Sequence, residues 1–158
     1  MSYTFVEIKE CHNSQIASIV RKNLESVGLD IPGTAYFDSN LDNLSSSYGK
    51  EDRKYFVLLK DDKVAGGVGF APFDRSEGCA EMQKIYLDDS VKGQGLGYRL
   101  VEKVEQEMKK AGFAKSYLET HSSLKAAVHL YRKCGYREIE RPKGVVHSTM
   151  DLFFEKDL

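Results

Sequence analysis

The 158-residue chain contains no tryptophan, only three prolines and only three cysteines. Cys11, Cys79 and Cys134 are far apart and odd in number, which disfavours a disulfide framework, and no C-x-x-C pair offers a zinc site. That usage suits a reducing compartment, so a cytoplasmic location is expected. Charge of one sign is also lacking: 23 Lys+Arg against 24 Asp+Glu leave a formal net charge of −1. A basic footprint for nucleic acid is therefore missing, and no like-charge run marks a tail. No apolar run approaches the ~20 residues that span a bilayer. The first ten residues alternate in polarity instead of forming a signal-peptide core. Neither nucleic acid nor membrane is an expected partner. With no Gly- or Ser-rich tether and no internal repeat, residues 1–158 read as one domain. Its 41% apolar and 30% charged residues suit an ordinary globular fold.

Periodicity then supplies the elements. Residues 3–9 alternate as a strand. A helix is expected from about Ser14 to Val27, with Ile16, Ile19, Val20, Leu24 and Val27 on one stripe and Gly28 at its end. The polar stretch from Gly33 to Gly49 offers Leu41, Leu44 and Tyr48 for a short second helix. Strands at Tyr55–Lys60 and Lys63–Phe73 flank Asp61-Asp62, which reads as a hairpin turn. A third strand spans Ala80–Leu87. A long helix from about Gly95 to Ala111 follows, then a strand at Lys115–Thr120 and a helix at Ser123–Cys134. Closing strands near Tyr136–Glu140 and Val146–Phe154 complete the chain. The middle reads β–α–β, a parallel pair with a right-handed crossover, between antiparallel flanks. The fold class is α/β with α+β character: a mixed, mostly antiparallel sheet of six to seven strands and about four helices.

The segment Lys92-Gly93-Gln94-Gly95-Leu96-Gly97-Tyr98 lies between a strand and a helix. Glycines there bring backbone N–H groups and the positive end of the helix dipole toward a phosphate or pyrophosphate. The pattern is neither the dinucleotide G-x-G-x-x-G nor a P-loop. A second cluster, Gly66-Gly67-Val68-Gly69, sits inside a strand and reads as a bulge or close-packing site. The four histidines fall at no metal-ligand spacing, and no metal is expected.

Together with Ala127, Leu130, Tyr131, Gly135 and Tyr136 further on, this loop resembles the GNAT superfamily of acetyl-CoA-dependent N-acetyltransferases. The family's pyrophosphate loop, [Q/R]-x-x-G-x-[G/A], matches Lys92 to Gly97. Its later motif, N-x-x-A-x-x-L-Y-x-x-x-G-[F/Y], matches from position 124 to Tyr136. The likeness is close over residues 55–140. Two positions depart: Lys92 replaces the usual Arg or Gln and loses planar donation, and Leu124 stands where many relatives place an Asn that helps hold the pantetheine arm.

The resemblance implies acetyl-CoA as cosubstrate, a splayed central strand pair, and backbone groups of Ile85, Tyr86 and Leu87 bonding the pantetheine arm like an added strand. It implies that Lys92, Gly93, Gln94, Gly95, Leu96, Gly97 and Tyr98 hold the pyrophosphate, with Leu124 and Tyr131 nearer the thioester. An acceptor amine with pKa ~10.4 is neutral in only about one molecule in 2,500 at pH 7, so a base is needed. Glu81 matches the carboxylate base of some relatives, and Glu119 on the crossover strand is the second choice. Tyr131 matches the general acid, protonated at pH 7 as a donor must be. The expected reaction is acetyl transfer to a primary amine of a small molecule or peptide. Asp38 and Asp42 are expected to contact the acceptor. Two rivals are a catalytically silent acyl-CoA sensor of the same fold and an ATP-using enzyme built on the same glycine loop. The C-terminal strands are compatible with a homodimer.

Overall fold

In a computed structural model that describes residues 2–158, β1 (Tyr3–Glu7), β2 (Lys54–Lys60), β3 (Lys63–Asp74), β4 (Cys79–Leu87), β5 (Lys115–Thr120), β6 (Arg137–Ile139) and β7 (Leu152–Asp157) form one sheet. Their spatial order is β1-β2-β3-β4-β5-β7-β6. Every neighbouring pair is antiparallel except β4–β5. The helices are α1 (Asn13–Glu25), α2 (Leu96–Lys110) and α3 (Lys125–Lys133). None is long and apolar enough to cross a membrane.

Local chemistry explains the boundaries. The β2–β3 hairpin turns on Asp61 and Asp62 alone, with Lys60 paired to Lys63. Both aspartates take positive φ, 48° and 68°, as a two-residue turn of the right twist requires. The α1 stripe Ile16, Ala17, Val20 and Leu24 is buried against one face of the sheet with Tyr55 and Val57. The α2 residues Leu100, Val101, Val104 and Met108 cover the other face with Phe70, Leu118 and Phe154. Each of these side chains is at most 2% exposed, a burial worth about 1.5–3 kcal/mol for each Val, Leu, Ile, Met and Phe among them.

Two expectations change. The helix anticipated around Leu41–Tyr48 is a 3-10 segment, Leu41–Ser46, broken at Asn43. Its Asn and Ser groups bond to side chains and backbone in place of a regular helix. Asn13 Oδ1 accepts from the Ser45 backbone N–H and its amide donates to Ser45 Oγ. The last strand starts at Leu152, not at Val146. Residues 146–151 instead fold over the 30–38 segment: the Thr149 hydroxyl donates to the Pro32 carbonyl, and its N–H to that of Gly33.

Candidate active site

The parallel β4–β5 ladder consists of three pairs only, ending at Glu81 and Tyr117. β4 runs six residues further without a partner on that side, which is the splay expected of the central pair. The divergence coincides with a bulge. The β3–β4 register jumps between Gly67 and Gly69, and Lys84 takes φ +49°. A non-glycine residue in that region costs about 1–3 kcal/mol and persists where its surroundings fix it. Here the Tyr55 hydroxyl donates to the Lys84 carbonyl at 2.7 Å, and the Lys84 ammonium pairs with Asp38 at 2.8 Å. The Gly66–Gly69 cluster makes room for the Tyr55 ring: a Cβ on Gly67 or Gly69 would lie 2.5 or 2.6 Å from ring carbons.

Beside the divergence is a cleft of about 460 Å³, lined among others by Asp38, Tyr48, Arg53, Glu81, Gln83, Lys84, Glu119 and His147. Glu81 and Gln83 point the same way because strand side chains alternate. Tyr48 Oη donates to Gln83 Oε1, and Gln83 Nε2 donates to Glu81 Oε1 at 2.9 Å. Burial pushes the Glu81 carboxyl up to about 7; the Gln83 hydrogen bond opposes the shift and the charge of Glu119 adds to it. Glu119 accepts from the Tyr117 hydroxyl at 3.0 Å and faces His147 Nδ1 at 3.5 Å. His147 Nε2 lies 2.8 Å from Asp38 Oδ1. Hydrogen bonds to Asp38 and then Glu119 hold the His147 imidazolium up to about 9. Burial disfavours the Asp38 charge, yet His147 and Lys84 together hold its carboxyl below the usual range.

At the far end of β4 lies the glycine loop. Gly93 and Gly95 have φ of +78° and +76° with open space where a Cβ would be. Gly97 serves packing instead: a Cβ there would meet Leu130 of α3 at 2.9 Å. Gly95 begins α2 with no side-chain cap, and no acidic residue occupies the first turn. The N–H groups of Leu96, Gly97 and Tyr98 therefore face outward from a positive dipole end. Gln94 Oε1 accepts from the Tyr3 hydroxyl at 2.8 Å, and the Tyr98 ring is exposed. Lys92 is not free: its ammonium bonds Asn23 Oδ1 at 2.7 Å and Asp89 at 2.8 Å.

Tyr131 is 4% exposed, its ring packed edge-on to Tyr136. Burial drives its hydroxyl far above the usual phenol range. Among the described residues that hydroxyl makes no hydrogen bond, and no fully buried side-chain N or O is unpaired. It therefore reaches the surface through the small exposed fraction. Leu124 packs partly buried against the α1-side core at the start of α3. Of the neighbouring serines, Ser122 bonds Asp151 through its N–H and hydroxyl, and Ser123 bonds His121.

Residues 17–136 match the family model described as Acetyltransferase (GNAT) family. The chain belongs to the GNAT acetyltransferases. A curated relative, the uncharacterized N-acetyltransferase YjgM of Escherichia coli, is 34% identical over 134 residues, covering 84% of this chain and 80% of its own length. A GNAT-family acetyltransferase of Staphylococcus aureus Mu50 has the same fold, with TM-score 0.84 at 18% identity and 99% coverage of both chains. So does the PaiA N-acetyltransferase of Thermoplasma acidophilum, solved with coenzyme A, at TM-score 0.77, 17% identity and full coverage of both chains.

This acetyltransferase brings Glu81 and Glu119 into one cleft and sets Ile85–Leu87 in line with the loop 92–98. Asp42 belongs elsewhere: it forms a two-pronged pair with Arg21, both contacts 2.7 Å, outside the cleft. Sequence reasoning gave no site role to Arg53, Gln83 and Lys84, read Tyr48 only as part of a short helix in the stretch expected to face the acceptor, and placed His147 in a late loop able to touch substrate. The glycine cluster was the available signal for Lys84, because a bulge in β3–β4 turns its side chain into the cleft.

Proposed function

We propose that this enzyme transfers an acetyl group from acetyl-CoA to a primary amine of a small molecule or peptide, with Glu81 as general base and Tyr131 as general acid. The observation that carries this reading is the placement of the Glu81 carboxyl in the cleft where the central strands part, where burial pushes its pKa up to about 7. A base of that pKa accepts protons at neutral pH without being permanently protonated, and a positioned base contributes about 10²–10⁴-fold. Glu119 is the weaker choice because Tyr117 and His147 already occupy its two oxygens.

The residues fit coenzyme A. The uncapped start of α2, entered through Gly93 and Gly95 in left-handed conformation, suits a pyrophosphate. The unpartnered edge of β4 at Ile85, Tyr86 and Leu87 suits an extended amide-bearing arm. Acetyl-CoA, when bound, supplies an acetyl group activated as a thioester. Glu81 takes the proton of the acceptor amine. The Tyr131 hydroxyl, kept protonated by burial, holds a proton for the departing sulfur.

Two experiments test this. In a thermal shift, acetyl-CoA at a hundredfold excess over Kd stabilises the fold by about 2.7 kcal/mol. At 2–4 °C per kcal/mol for a chain of this size, that is a rise of roughly 5–11 °C, while ATP and NAD leave the transition in place. Stabilisation by ATP alone would overturn the assignment. In a thiol-release assay over an amine panel, kcat/KM rises with pH through about 7 as Glu81 ionises, and falls above about 9 as the imidazolium of His147 is lost. Tight coenzyme A binding with no turnover on any amine would identify a sensor instead.

A further inference from the structure

The hydrogen-bonding balance of the cleft indicates which kind of amine enters it. Asp38 is spent on Lys84 and His147, and Glu119 on His147 and Tyr117. On the opposite wall, Arg53 turns one edge of its guanidinium to Asp52 through Nε and Nη2. Asp52 also binds Arg75, so two arginines share one carboxylate. Two cations thus meet one carboxylate there, and among the described residues the Nη1 of Arg53 makes no hydrogen bond.

The sheet places this free donor opposite the base. Lys54 pairs with Phe70, so the preceding residue, Arg53, falls across from Ala71 by continuation of the register. Ala71 in turn pairs with Glu81. Directly opposed residues on neighbouring strands share a face. Arg53, Ala71 and Glu81 therefore form one cross-strand row, and all three line the cleft. Two strand spacings separate the outer backbones, about 9.5 Å. The methyl group of Ala71 leaves the space between open. At its two ends stand a base that accepts an amine proton and a guanidinium whose Nη1 and remaining Nη2 hydrogen are left to donate to a carboxylate.

We propose that the acceptor is a primary amine that also carries a carboxylate, with the amine at Glu81 and the carboxylate on Arg53. The inference rests on the acetyltransferase reading above and narrows it. A polycation is disfavoured by the same inventory, because the cleft's carboxylates other than Glu81 are already paired with its own cations. Arg53 binds substrate in both ground and transition states, so its contribution appears in KM more than in kcat.

The test is a thiol-release assay with acetyl-CoA and matched acceptors: free amino acids and short amino-carboxylic acids, each beside its carboxamide and its decarboxylated amine. The expected result is a kcat/KM at least tenfold higher for the acid than for its amide. In the Arg53→Gln variant that preference collapses, through a rise in KM for the acid. Rescue by Arg53→Lys is partial at best, since a lysine lacks the fork. Equal or better turnover of the amides and decarboxylated amines overturns the inference while leaving acetyl transfer standing. So does an acid preference that survives in Arg53→Gln. Absence of turnover with every member of the panel, acids included, overturns the acetyltransferase reading itself. The coenzyme A thermal shift of Arg53→Gln, unchanged from the parent, shows that the variant is folded.

Discussion

Replacing Glu81 with Gln will slow acetyl transfer by about 10²–10⁴-fold and at the same time raise the melting temperature at pH 8. The two effects share one cause. In the folded protein burial lifts the Glu81 carboxyl from 4.5 to about 7. A raised carboxyl pKa means that the folded state binds the proton more tightly than the unfolded chain. The sign of the linkage follows: folding bears no cost from this group below about pH 4.5, a growing cost between 4.5 and 7, and the full cost above 7. Each pH unit of that interval adds about 1.4 kcal/mol, so the cost is of order 3 kcal/mol. Glutamine is nearly the same shape, can still accept from Gln83, and carries no charge. The variant therefore gains up to about 3 kcal/mol at pH 8, roughly 6–12 °C in Tm, and almost nothing at pH 4.5. Parallel melting curves at the two pH values and a thiol-release assay read both effects. Equal gains at the two pH values would show that the change acts through packing and not through the buried charge.

On the proposed role, this coupling makes Glu81 a residue kept against the interest of stability, as functional groups often are. It also shows where sequence reasoning succeeds. Glu81 was legible because a family pattern places a carboxylate at that strand position. The order of strands and helices was legible because periods of two and 3.6 alternate cleanly along the chain. Most of the wall facing Glu81 was not. Asp38 was anticipated as an acceptor contact, but Tyr48 and Arg53 lie in or beside irregular turns with no period to read, and Lys84 reaches the cleft through a bulge that shifts strand alternation by one residue. His147 is 109 residues from Asp38, and only the fold brings them together. The glycine loop was half legible. Gly93 and Gly95 are glycines for backbone conformation beside an open helix start, whereas Gly97 is a glycine for the approach of Leu130, a contact invisible in a local motif.

Gly67→Val will strongly destabilise the fold although it changes no core side chain. Valine would suit an ordinary strand, and φ at this position is not in the left-handed region. The obstacle is Tyr55: a Cβ on Gly67 lies 2.5 Å from Cε1, 2.8 Å from the hydroxyl and 3.0 Å from Cζ. The ring is 1% exposed, in one buried cluster with Leu24, Leu44 and Val57. Overpacking of this kind costs about 1–3 kcal/mol. Displacing the ring also breaks the bond from its hydroxyl to the Lys84 carbonyl, and a buried acceptor left unpaired costs a further ~1–3 kcal/mol. The expected drop is roughly 2–6 kcal/mol, or about 4–24 °C in Tm. Tyr55→Phe separates the two contributions, because it removes the hydroxyl and keeps the ring. It should lose only the hydrogen-bond share of stability. Yet it should lose activity more steeply than stability, since the Lys84 carbonyl then has no tether and the bulge that opens β4 from β5 relaxes toward regular pairing. If Tyr55→Phe keeps full turnover at a temperature where it is folded, the bulge is held by packing alone, and the Tyr55 hydroxyl has no part in parting the strands.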